Sequence, residues 1–189
     1  MPEPHVHMGL ARFKQKRFDE AVEHYLAAIR IQPDFHPAYN NLGVAYSKLQ
    51  LHDEAGASFT KSLAINPNYA PTLQNLADSL YGGGDYAAAL ARVRQLARLQ
   101  PGSAVARVGI ANTLAQLDRT EEAVAAYRDT LRIEPDNIAV RNRVVELLLR
   151  QRVYGEAAAE LREILKQQPR NKPARTLLAE AEKMLQQNQ

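Results

Sequence analysis

The sequence predicts an all-α array of stacked helical hairpins, and three columns of residues predict it. Pro33, Pro67, Pro101, Pro135 and Pro169 stand 34 residues apart. Ala21, Ala55, Ala89, Ala123 and Ala157 precede them by 12 residues each. A small residue recurs in the same register at Gly9, Gly43, Ala77 and Ala111, then gives way to Val145. A fixed period of this length marks a repeat architecture, each unit being one supersecondary motif that must stack to bury its faces. Small residues on the first helix and alanines on the second let two backbones approach. An apolar column (Met8, Leu42, Leu76, Ile110, Val144) and a bulky one (Tyr25, Phe59, Val93, Tyr127, Leu161) fill the space around them. Proline ends the second helix, because it lacks an N–H and clashes with the preceding turn.

The first unit spans 2–35. Pro2 and Pro4 suit a helix start, and Asp19 and Glu20 place two acids in the first turn of its second helix, where the helix dipole favours them. Asp53-Glu54 and Glu121-Glu122 repeat that device. In the second unit, 36–69, Asp34 is the expected N-cap and Pro37 belongs to the first turn. The third, 70–103, uses Asn68 and Pro71 in the same way. It also carries Gly82-Gly83-Gly84 at the inter-helix turn, and three glycines there predict that the first helix ends early. The fourth and fifth units, 104–137 and 138–171, begin after Gly102-Ser103 and Asp136-Asn137. The segment 172–189 reads as one more helix, started by Asn171 and Pro173. Leu177, Leu178, Ala181, Met184 and Leu185 form its apolar stripe, opposite the polar Arg175, Glu180, Glu182, Lys183 and Gln186. It is expected to cap the array, with one face for the last unit and one for water. No such cap precedes the first unit. About eleven helices are expected in all.

The run Asn41-Leu42-Gly43-Val44-Ala45-Tyr46, with Ala55, Phe59 and Pro67, resembles the tetratricopeptide repeat family, and the likeness extends over residues 2–171. It implies a right-handed superhelical solenoid of antiparallel helix pairs, with the first helix of each pair lining a concave groove. The family's tryptophan column is replaced by His5, Tyr39, Leu73, Arg107 and Arg141, and Arg12 stands where an aromatic is preferred. These departures predict different packing in units one, four and five.

Bulk properties narrow the function. Net charge is +3, with 10 basic against 9 acidic residues through Ser103 and 14 against 12 after it, so neither half is a basic tail and nucleic-acid binding has no support. The absence of cysteine excludes disulfides, thiol catalysis and thiolate metal sites. No apolar run approaches the ~20 residues that cross a bilayer, and Met1-Pro2-Glu3-Pro4 does not resemble a secretory signal. A cytoplasmic chain without membrane insertion is the expectation. No phosphate loop, nucleophile elbow or catalytic carboxylate pair is present. All five histidines lie within 5–52, and His5 and His7 point apart on a helix. The chain is read as a non-enzyme with no cofactor and no metal.

Aligning the units places candidate binding residues on the groove wall. They are Asn40 and Asn41 in unit two, Gln74, Asn75, Asp78 and Tyr81 in unit three, Asn112 in unit four, and Asn142, Arg143 and Arg150 in unit five. An amide offers both donor and acceptor, which suits the backbone of an extended peptide. Asn41 and Asn75 occupy equivalent places and resemble the start of the asparagine ladder in the repeat domain of O-linked N-acetylglucosamine transferase. That ladder stops at Gly109 and Arg143. The carboxylate clamp by which some family members hold chaperone tails is not matched: Gln74, Asp78, Gly109 and Ala139 stand at its places, and only Arg143 fits. Arg143 and Arg150 remain suited to an acidic partner. Val6, Leu10 and Phe13 form a stripe on the first helix expected to support self-association.

The expected function is protein–protein interaction, with a peptide or partner segment in the groove. The alternatives are a self-assembling scaffold using the first unit and a substrate-recruiting part of a larger enzyme such as a glycosyltransferase.

Overall fold

Each proline of the column forces its predecessor into extended backbone, and this cuts the chain into hairpins. Gln32, Asn66, Gln100, Glu134 and Gln168 have φ of −138°, −130°, −129°, −125° and −125°. In the computed structural model, which describes residues 1–187, eleven helices and no strand result among the described residues. They are α1 (Glu3–Lys14), α2 (Phe18–Ile31), α3 (His36–Lys48), α4 (His52–Ile65), α5 (Ala70–Gly82), α6 (Tyr86–Leu99), α7 (Ala104–Gln116), α8 (Thr120–Ile133), α9 (Ile138–Arg150), α10 (Tyr154–Gln167) and α11 (Lys172–Gln187). None is long and apolar enough to cross a membrane.

Turns inside the hairpins share one device. Lys16, Gln50, Gly84, Asp118 and Arg152, again 34 apart, all have positive φ, between 55° and 83°. The next residue donates to the carbonyl five positions back: Leu51 to Tyr46 at 3.0 Å, Asp85 to Leu80 at 2.9 Å, Val153 to Leu148 at 2.9 Å. This pattern closes a helix C-terminus around one left-handed residue. It also corrects the expectation for the triple glycine. α5 runs a full 13 residues, as α3 does, and only Gly84 leaves the helical region. The turn's hydrogen bonds hold the helix end, and the Asp85 side chain accepts from the Ala88 N–H to start α6.

The N-caps are corrected as well. Ser103, Asn137 and Asn171 accept from the N–H three residues on, at 3.0–3.2 Å. The matching places in α3 and α5 hold Phe35 and Tyr69, so Asp34 and Asn68 lie one residue too early to cap.

The described chain forms two compact units, Met1–Pro101 and Gly102–Gln189. In the first, α1–α6 pack as successive hairpins, and α3 also touches α1 and α5, so the first helices of the hairpins form a row. Its core joins Val6, Ala21, Tyr25, Ala28, Ala38, Leu42 and Ala45, followed by Ala55, Phe59 and Leu76. In the second, α7–α11 pack in sequence, with Val145, Leu161, Ile164 and Ala174 at the core of its last part. The five column alanines are wholly buried. Gly9 and Gly43 are required by rings: a Cβ on either would lie 2.5–2.6 Å from Tyr25 or Phe59.

At the family's tryptophan column, a polar reach replaces the indole. Tyr39 donates its hydroxyl, and Arg141 and Arg175 their guanidinium N–H, to the carbonyls of Pro33, Pro135 and Pro169. Arg141 also pairs with Glu160, both about 14% exposed or less. On α11, Ala174 and Ala181 are buried, but Leu177 is exposed rather than part of the packed stripe. Asn188 and Gln189 of the expected helix lie outside the described residues.

Candidate functional site

The row α1, α3, α5 presents one shared face in the first unit, and a polar network runs beneath it. Ser62 (α4) donates to the His36 carbonyl at 3.0 Å and meets Thr72 (α5) hydroxyl to hydroxyl at 2.9 Å. Thr72 donates to Asn40 Oδ1 (α3) at 2.9 Å, and Asn75 Nδ2 donates to the same oxygen at 2.9 Å. Asn40 Nδ2 reaches Asn41 Oδ1 at 3.2 Å. Ser62, Thr72 and Asn40 are buried, so every bond in this chain forms away from water and leaving one unmade is costly.

This arrangement divides the predicted amides. Asn40, expected on the wall, is only 6% exposed and acts as a buried acceptor. It is directed inward because its pair of donors lies on α5. Asn41 and Asn75 are half-buried at the surface, and Asn75 has one N–H committed to Asn40 while no partner for its Oδ1 exists among the described residues. Gln74 donates to Asp78 at 2.8 Å. Tyr81 stacks edge-on against Tyr86, with centroids 5.2 Å apart.

Asn75 and Asp78 border a depression of about 530 Å³ between α3 and α5. Val44 and Phe59 supply its apolar lining, Lys48, Ser47 and His52 its α3–α4 side, and Ser79, Gly82 and Gly83 the end of α5. Most of these were not singled out from sequence. A signal existed for Ser62 and Thr72, which put hydroxyls at places where other units carry Ala, Leu, Ile or Val.

The remaining candidates belong to the second unit. Asn112 accepts from the Tyr127 hydroxyl. Arg143 bonds Glu146 at 2.8 Å, and Arg150 lies 3.6 Å from Asp118. Asn142 and Arg150 border a second depression, of about 680 Å³, between α9 and α11, with Val145, Leu149 and Leu177 as its apolar lining. The N-terminal stripe is not a continuous exposed surface. Val6 is buried and Phe13 packs edge-on against Phe18 at 5.2 Å, so only Leu10, 37% exposed, faces outward. No group of three or more His, Asp or Glu suited to a metal exists among the described residues.

A row of hairpins that buries its columns and displays polar side chains over apolar depressions defines a repeat protein built for recognition. The chain belongs to the tetratricopeptide repeat family. Tetratricopeptide repeat models match residues 9–50, 36–69 and 75–138. No curated protein sequence matches it. Among solved structures it is similar to MamA from Desulfovibrio magneticus RS-1, with TM-score 0.81 and 15% identity over 90% of this chain and 97% of that one. It is also similar to YrrB, a tetratricopeptide repeat protein with an unusual peptide-binding site, with TM-score 0.78 and 18% identity over 95% and 91%. A tetratricopeptide repeat protein from Parabacteroides merdae ATCC 43184 gives TM-score 0.81 and 19% identity over 99% and 74%. At these identities the likeness establishes the fold.

Proposed function

We propose that the chain is a non-catalytic interaction module that binds an extended peptide segment on the shared face of α1, α3 and α5. The helices α1–α10 are read as five repeats and α11 as the element that closes them. One observation carries the reading: Asn75 is held by the buried Asn40, which leaves its Oδ1 available beside the depression as a fixed acceptor for a backbone N–H. A pre-positioned amide binds at lower entropic cost than a mobile one. The peptide-binding site of the similar YrrB supports the same class of function.

The test is selection from a phage-displayed library of random dodecapeptides, followed by NMR shift mapping with the best synthetic peptide. Shifts on α3 and α5, and affinity lowered about fivefold by Asn75→Ala, are the expected result. Failure to recover any peptide, or shifts confined to α2, α4 and α6, would overturn it.

A further inference from the structure

The depression between α3 and α5 owes its depth to one residue. In four hairpins the last turn of the first helix carries a long side chain in one register: Lys14, Lys48, Gln116 and Arg150. In the third the residue is Gly82, and a Cβ placed there meets nothing within 4 Å. Removing one long side chain from an otherwise regular row leaves a gap lined by Phe59 and Val44. Its volume, about 530 Å³, falls in the roughly 300–1,000 Å³ range typical of ligand sites.

The charges on its border are unequal. Asp78 already accepts from Gln74, whereas Lys48 has no ion pair or hydrogen bond among the described residues. Apolar lining, a fixed amide acceptor and an uncommitted ammonium group together describe a partner. We infer that the Gly82 depression receives a bulky apolar side chain of a bound peptide, and that Lys48 receives the carboxylate of an Asp or Glu side chain next to it. The face continues past α3 onto α1, so the chain passes through and the carboxylate belongs to an internal residue rather than to a peptide C-terminus. This rests on the peptide-binding reading above and adds its specificity.

The probe is the same dodecapeptide library, displayed with both flanks extended. Recovered sequences should share Leu, Ile, Met or Phe beside Asp or Glu. Gly82→Gln restores an uncharged long side chain in open space and should weaken the best synthetic peptide at least tenfold, with an unchanged thermal transition. Lys48→Glu should weaken it similarly, and a peptide with its acid changed to Lys should recover the loss. Peptides that bind on α3 and α5 but are indifferent to Gly82→Gln, or that show no charge-swap recovery, would overturn this inference and leave the interaction module standing. No recovered peptide would remove both.

Discussion

Asn75 Nδ2 donates to Asn40 Oδ1 at 2.9 Å, so a residue at the surface of the third hairpin is oriented by a buried residue of the second. Thr72 donates to the same oxygen. Thr72→Val keeps the shape but removes that donor and the partner of Ser62, and should cost about 1–3 kcal/mol, the price of a buried polar group left unmatched. Urea unfolding monitored by circular dichroism measures it. No shift in midpoint would mean that the network contributes nothing net.

Two helical glycines should respond in opposite directions. Gly43 faces the ring of the buried Phe59, so Gly43→Val forces overpacking and should destabilise by about 1–3 kcal/mol. Gly82 faces open space, and Gly82→Ala should stabilise by about 0.5–1 kcal/mol through helix propensity. Paired thermal melts decide the matter. Equal signs would refute the packing account.

Gly84 has φ of +83°, and the equivalent Gln50 has +64°. A Cβ in this region costs about 1–2 kcal/mol. Gly84→Ala should therefore lower stability by that order and Gln50→Gly raise it by less than about 1 kcal/mol, since glycine also gains freedom when unfolded. Denaturant midpoints of the two variants test both halves.

Burial pushes the Tyr25 phenol up from 10.0 to about 12. Its neutral form is the one the folded chain holds. Stability from this group is complete below pH 10 and is lost as pH rises from 10 toward 12, where the unfolded chain ionises first. The loss amounts to about 1.4 kcal/mol per pH unit inside that window. Urea midpoints at pH 9 and 11.5 should fall further for the wild type than for Tyr25→Phe. Equal falls would show that Tyr25 is not the group responsible.

The sequence by itself determined the hairpins, their ends and the buried columns. The reason is local: a proline restricts its predecessor and an alanine every 34 residues marks one close approach, so period and residue type together suffice. Ala21, Ala55, Ala89, Ala123 and Ala157 are all wholly buried for that reason. The tertiary structure decided what each polar residue does, because that depends on neighbours about one repeat away. Asn40 and Asn41 are adjacent and chemically identical, yet Asn40 turns inward because Thr72, 32 residues on, offers it a hydroxyl. Arg143 pairs within its own helix, and Leu177 is exposed although it matches an apolar period. The depression at Gly82 was likewise invisible as a turn signal. It exists because the third hairpin lacks a side chain its neighbours have, over a floor supplied by Phe59 of the second.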